Sequence, residues 1–419
     1  MYIQDVHLTN VRGFQSLHFS LERSSNEYAG WTVFVGGNGS GKSTLLKAIA
    51  MAQLPSGISG MLTPSFHEWL REDCGEAIIS MHILRVADDD FSLETGSKAS
   101  LTDSKRERLG FRVHQNPAIS PTWGGTFDFW QESWFACGYG PFRRVSGAAQ
   151  DVQKVMSAPV AERFVTMFQD SASLAEADIW LRQLNYKKLE GRPQAAETLS
   201  VVMDVLRDEF LPNQITVDRV DSEGLWLRDR NGAHLSWHDM SDGYRSALAM
   251  LADILRHMIN FYGIDGLVAR NDQGHLYITR SGVILIDEVD AHLHPSWQRQ
   301  IGFWLKKRFP KVQFLVTSHS PLVCQAADPN GLFWLPDPGS DETPRALTPD
   351  EYQTIISSRP DTILRSPAFG LSNTRSDPVA EKRIRYAELK TRQRRLNNLS
   401  PEESTELAAL APFINLDED

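Results

Sequence analysis

Gly36-Gly37-Asn38-Gly39-Ser40-Gly41-Lys42-Ser43 fills every position of the pattern G-x-x-x-x-G-K-[ST]. The chemistry of that spacing is phosphate binding. Glycines let successive backbone N–H groups curl around a phosphate chain, and a following helix points its positive N-terminus at it. Gly36, Asn38, Gly39, Ser40, Gly41, Lys42, Ser43 and Thr44 are the expected ATP contacts, with Lys42 reaching the β- and γ-phosphates and Ser43 a ligand of Mg²⁺. A second site follows far along the chain. Val283-Ile284-Leu285-Ile286 ends in Asp287-Glu288, two carboxylates emerging from an apolar run. Asp287 is placed to hold the hydration shell of the Mg²⁺, and Glu288 to polarise an attacking water. His319, in Thr317-Ser318-His319-Ser320-Pro321, follows another apolar run and is placed to touch the γ-phosphate.

These groups need strands that end at a common edge. Trp31–Val35, Val283–Ile286 and Val312–Thr317 are short, apolar and rich in β-branched or aromatic residues, which suits buried strands. The first leads through the glycine loop into 43–50, whose residue types suit a helix. Residues 3–21, 76–87, 107–139 and 214–237 read as further strands, the last with a turn at Asp229–Gly232. Residues 244–262 and 295–309 read as helices, the latter opened by Pro295. Residues 151–210 carry apolar residues at three- and four-residue spacing and read as a helical insertion too short for a long coiled-coil arm. The expected divisions are 1–150, 151–212, 213–345 and 346–419, the last a helical extension. Between Arg375 and Arg395 it holds eight Lys/Arg against three acids, and Ser400-Pro401-Glu402-Glu403 reads as a capping box.

The bulk properties narrow the class. The 419 residues carry a formal charge of −10, which disfavours broad coating of nucleic acid without excluding a local basic groove. Neither a membrane-length apolar run nor a signal-peptide pattern is legible, so the expected compartment is the cytoplasm. Cys74, Cys137 and Cys324 match no metal spacing and read as free thiols.

Met240-Ser241-Asp242-Gly243-Tyr244 resembles the signature L-S-G-G-Q, with Asp242 in place of a glycine and Tyr244 in place of the glutamine. Ser241 and Gly243, the anion-binding positions at a helix start, are retained. The same residues also make an ordinary helix N-terminus. Together with Gly36–Ser43, Asp287-Glu288-Val289-Asp290-Ala291-His292-Leu293-His294-Pro295 and Thr317–Pro321, the set resembles the SMC/RecF/OLD branch of ABC ATPases. Asn10–Phe14 also fits that branch.

That resemblance implies an α/β fold: an ABC-type P-loop ATPase head with a mixed β-sheet core, an antiparallel β lobe and a helical insertion. It implies a dimer of heads around two ATP molecules, possibly a higher oligomer, with Ser241, Asp242 and Gly243 acting in trans. It places Asp290 in a loop facing the dimer partner and Arg12 near phosphate.

The departures from the branch carry information too. A Q-loop glutamine is not identifiable, Gln115 and Gln131 being weak candidates. Gly138–Arg144 lies where a loop between lobes belongs, and its arginines either sense nucleotide or pair with surface acids. Residues 263–282 lengthen the link between signature helix and the second acidic site, against a transporter subunit. After Pro321 no Asp-x-Asp on a plausible strand suggests a TOPRIM nuclease, so the chain is expected to hydrolyse ATP without cutting nucleic acid. It resembles the stand-alone, PtuA-type ATPase subunits of Septu and retron-linked anti-phage systems. That implies a separate HNH-type nuclease partner, docked by the basic helix unless that helix is simply solvated. The alternatives are a RecF-like ATPase that binds DNA in repair and a nucleotide switch that does not hydrolyse.

Overall fold

The computed structural model describes residues 1–24, 26–63, 65–86, 106–116, 121–124, 134–145, 159–396 and 399–413. Gln131 and residues 146–158, including the expected boundary at 150 and the start of the insertion, lie outside them. The chain divides into two compact units, Met1–Ser357 and Ser358–Asp419. The first runs past the expected boundary at 345, because the strand pair at 332–346 and the helix Pro349–Ser357 belong to it.

In the first unit, β1 (Tyr2–Val11) and β2 (Phe14–Ser20) form a hairpin, and β3 (Gly30–Val35) leads through the glycine loop into α1 (Lys42–Ala52). β4 (Glu76–Leu84), β5 (Arg106–His114) and β6 (Thr122–Gly124) complete an antiparallel sheet of order β2-β1-β4-β5-β6. Alternation explains its two faces: along β1, Val6 and Leu8 are buried while Asp5 and His7 are half-buried on the other side. β7 (Ala136–Tyr139) is a separate, fully buried strand, so among the described residues the stretch 107–139, read as strands, contains β5, β6 and β7.

Helices α2 (Ala175–Leu189) and α3 (Pro193–Arg207) form a hairpin within the stretch expected as a helical insertion, α3 opened by its N-terminal proline. The meander β8 (Thr216–Asp221), β9 (Gly224–Arg228), β10 (His234–Ser236) follows. Then comes α4 (Asp242–Tyr262), whose N-cap is Ser241. Residues 263–282 supply a small hairpin, β11 (Val268–Arg270) and β12 (Leu276–Ile278). β13 (Gly282–Ile286), α5 (Pro295–Arg308), β14 (Val312–Thr317), β15 (Leu332–Trp334) and β16 (Arg345–Ala346) close the unit.

The second sheet has the order β16-β15-β3-β14-β13-β7, parallel except at β16. Its central strands are buried along their whole length, which is why they read as unbroken apolar runs. α1 packs between this sheet and the antiparallel one. Leu45, Leu46 and Ile49 share one core with Phe34, Leu285 and Leu315 on one side and Val6, Leu8 and Phe19 on the other. The order brings three carboxyl ends together. β14 lies between β3 and β13, so the loop after it falls between the glycine loop and Asp287.

The second unit contains the helix Pro360–Leu364, α6 (Asp377–Leu396) and α7 (Pro401–Leu410). The Ser400–Glu403 capping box is formed in both directions. Arg385 and Arg392 of the basic helix pair with Glu406 and Glu403 of α7, so part of its charge is met within the unit.

Candidate functional site

The glycine loop leaves β3 and turns into α1 at Gly41, whose φ of 92° is in the left-handed region. A side chain there would also strike the ring of Phe14, which packs over the loop from the β1–β2 hairpin. Lys42 is 6% exposed, and its ammonium donates to the carbonyl oxygens of Gly36 (3.0 Å) and Gly37 (2.8 Å). Burial lowers its pKa, while the carboxylates of Asp287, Glu288, Asp290 and Asp337 act in the opposite sense. Ser40 is buried, Ser43 and Thr44 are half-buried, and Asn38 and Gly39 are exposed at the loop tip.

Asp287, 1% exposed, stands at the end of β13. Its Oδ1 accepts from Thr317 Oγ1 at 2.5 Å, and the same hydroxyl accepts from the Glu288 N–H at 2.7 Å. Asp287 Oδ2 is buried without a hydrogen-bond partner. A buried carboxylate oxygen is costly to leave unpaired, so a divalent cation fits here by the chemistry of the donor. Asp287 and Ser43 are the residues that would hold Mg²⁺.

Glu288 has φ 46°, a left-handed conformation rare for a residue with a Cβ. Its backbone is gripped on both sides, by Thr317 at the N–H and by Arg143 at the carbonyl. Arg143 is 3% exposed and donates to the carbonyl oxygens of Asp287 (2.8 Å), Glu288 (2.9 Å) and Ala291 (3.4 Å). Burial pulls its pKa down to about 10, against the pull of Asp290, Asp287 and Glu288, so it stays charged at neutral pH. This corrects both expectations for that arginine. It binds main-chain carbonyls of the acidic loop, and its loop leaves β7 beside β13 with Gly140-Pro141 and no glutamine. Gln115 sits exposed just after β5 on the antiparallel sheet, away from the six strands that carry the site.

His319 follows β14 and is exposed as a residue. Burial of its inner side, then the Lys42 charge, lower its pKa, while Asp290, Glu288 and Asp287 oppose the shift. Lys42, Asp287, Glu288, Asp290 and His319 therefore share one electrostatic neighbourhood. Asp290 Oδ1 accepts from Ser318 Oγ at 2.6 Å, which ties the loop after β13 to the loop after β14.

Ser241, Asp242 and Gly243 lie at the start of α4. Ser241 and Asp242 are exposed, and the Ser241 hydroxyl makes no capping hydrogen bond. Asp242 pairs with Arg245 one turn on. Gly243 is buried against the carbonyl of His292, which leaves no room for a Cβ. Ser246 Oγ donates to the Arg143 carbonyl at 2.9 Å. Arg12 is held elsewhere: its Nε donates to the Glu68 carbonyl (3.2 Å) and its guanidinium lies over the Trp69 ring.

Thr317 and Arg143 are the residues that sequence reasoning missed in these roles. Thr317 stood inside the quoted T-S-H-S-P stretch, and its hydroxyl was the available signal.

Residues 5–73 match a family model described as an AAA domain, and 158–325 match one described as AAA domain, putative AbiEii toxin, Type IV TA system. The Septu protein PtuA of Bacillus mycoides is 27% identical over 326 residues, 77% of this chain and 38% of that protein. The Retron Ec83 probable ATPase of Escherichia coli is 33% identical over 152 residues, 36% of this chain and 26% of that one. The chain thus spans well under half the length of these curated relatives. A solved Smc head bound to the C-winged helix domain of ScpA covers 83% of the chain, at 14% identity and a TM-score of 0.48. The chain has an α/β P-loop fold, matches AAA-domain models over two stretches, and resembles PtuA and a retron probable ATPase.

Proposed function

We propose that the chain binds ATP with Mg²⁺ at Gly36–Ser43, hydrolyses it in a dimer of heads, and thereby controls a separate HNH-type nuclease in anti-phage defence. One observation supports the catalytic part above all. Asp287 is buried with one oxygen fixed by Thr317 and the other without a partner among the described residues, in the same electrostatic neighbourhood as Lys42, whose hydrogen bonds among those residues are to its own loop.

When bound, Mg²⁺ would neutralise phosphate charge and polarise the transferred phosphoryl group. The chain's own groups do the rest. Lys42 exchanges loop carbonyls for phosphate oxygens, with backbone N–H groups of 39–44 completing the cradle. Glu288, its backbone held at 46° by Thr317 and Arg143, accepts a proton from the attacking water. His319, neutral at pH 7, offers a ring nitrogen to the γ-phosphate. Asp290 is proposed to face the second head, and Arg12 to approach phosphate by leaving Trp69.

The dimer part draws support from Ser241. It is exposed at the start of a 21-residue helix with its hydroxyl uncommitted as a cap, which suits an anion brought by another head. Mixing a Ser241→Arg variant with a Lys42→Ala variant should restore part of the lost activity, since one composite site is then intact. No recovery in the mixture would speak against shared sites.

The nuclease part rests on the likeness to Septu and retron proteins. Expression together with the neighbouring genes should yield a complex of ATPase and nuclease. Recovery of the ATPase alone, with duplex binding that falls steeply with salt, would favour a DNA-repair clamp instead.

A further inference from the structure

The solvent-facing side of the antiparallel sheet carries a second cluster, unrelated to the nucleotide loop. Strand register sets Asp5 directly opposite His82 of β4, and His7 directly opposite His18 of β2. Asp5 and His7, two residues apart on β1, point the same way. Asp5 Oδ1 lies 3.0 Å from His7 Nε2 and 2.8 Å from His82 Nδ1. The three ligand atoms are within 4.8 Å of one another. The His18 ring stacks on His7 at 4.0 Å.

We propose that Asp5, His7 and His82 form a binding site for a divalent ion of the zinc class. The donor set is two imidazoles and a carboxylate, with solvent or a reoriented His18 for the remaining position. In tetrahedral geometry, metal–ligand bonds of about 2.0–2.1 Å separate neighbouring ligand atoms by about 3.3 Å. The two spacings to Asp5, 3.0 and 2.8 Å, need only a few tenths of an ångström of opening to admit an ion. All three side chains are partly exposed, at 39%, 22% and 41% for His7, Asp5 and His82, so an ion can reach them from solvent. The cluster opens on a depression lined by His18, Ser20, Tyr28 and Arg108. Paired strands hold the ligands more firmly than a loop would.

Imidazole nitrogen selects zinc, nickel or copper over magnesium. The site is therefore chemically distinct from the oxygen-lined one at Asp287, and the Mg²⁺ of an ATPase assay would not fill it. A second grouping, Asp208, Glu209 and His275, is a poorer candidate because Asp208 already pairs with Arg308 at 2.9 Å.

The test uses the full chain, free of any histidine tag and stripped with chelator. Zn²⁺ is titrated calorimetrically, and Co²⁺ is added in parallel for its visible d–d bands. One ion per chain should bind, insensitive to millimolar Mg²⁺. Asp5→Asn, which keeps the side-chain shape, and His82→Gln should each weaken binding by more than about tenfold, with thermal unfolding of the metal-free proteins unchanged. His275→Gln should bind as the parent does. The site assignment is overturned if no saturable binding occurs, if Asp5→Asn and His82→Gln both retain it, or if His275→Gln is the variant that loses it.

Discussion

Arg143 Nη2 donates to the main-chain carbonyl of Glu288 at 2.9 Å, from a guanidinium that is almost wholly buried. The same side chain holds the carbonyl of Asp287, and its own carbonyl accepts from Ser246 on the signature helix. The proposed base therefore sits on a peptide that an arginine from the loop after β7 keeps in a left-handed turn. Replacing Arg143 with Met leaves four carbonyls, of Gly140, Asp287, Glu288 and Ala291, without that donor. ATP turnover should fall about tenfold or more while nucleotide affinity changes little, and stability should drop by about 2–4 kcal/mol. Steady-state kinetics beside nucleotide titration and urea unfolding checks this. An unchanged kcat would show that the turn holds itself.

Thr317 supplies a hydroxyl to Asp287 and receives the N–H of Glu288. Thr317→Val keeps the volume and removes both bonds. The variant should need more Mg²⁺ for half-maximal activity and turn over more slowly, whereas Thr317→Ser should stay close to the parent. Equal Mg²⁺ requirements across the three proteins would remove Thr317 from the metal-holding group.

Asp253 lies inside α4 and ties that helix to the core. It accepts from Arg256 (2.7 Å) and from Tyr139 of β7 (3.0 Å), and His257 is 3.2 Å away. Burial opposes its ionisation, but His257 and Arg256 outweigh that and hold the carboxyl well below the usual range. Arg256 also pairs with Glu162 at 2.7 Å. Asp253→Ala should cost about 3–5 kcal/mol, because it strands buried partners. Chemical unfolding measures it, and a loss under about 1 kcal/mol would mean Glu162 alone satisfies Arg256.

His319 gives a pH signature. Its folded pKa lies below 6.5, so the unfolded chain binds the proton more tightly than the folded one does. The stability it contributes is present above pH 6.5 and is lost as pH falls through the folded value. Without nucleotide, the stability lead of the parent over His319→Gln should therefore shrink on going from pH 7 to pH 5.5. Denaturant midpoints at the two pH values report it, and a lead that grows on acidification would reverse the sign.

The parts of the site that depend on local spacing were readable before any fold was known. Gly36–Ser43 needs a strand before it and a helix after it, and both are adjacent in sequence. The start of α4 at Ser241–Asp242 and the capping box at Ser400 are equally local. Arg143 was not readable in the same way. Its role exists only because β7 lies parallel to β13, a pairing between residues far apart in the chain. Arg12 was placed near phosphate by resemblance alone, and its guanidinium rests over Trp69, a contact that no local spacing announces. His7, His18 and His82 are unremarkable singly and become a cluster through strand register alone.

The most direct measurement of the central claim is ATP turnover by Glu288→Gln, made beside ATP binding and light scattering. The carboxamide keeps the shape but cannot take a proton. ATP should bind with near-parent affinity, hydrolysis should fall by about 100-fold or more, and the ATP-bound protein should persist as a dimer. Hydrolysis at the parent rate would contradict the assignment of Glu288 as the base that completes the site.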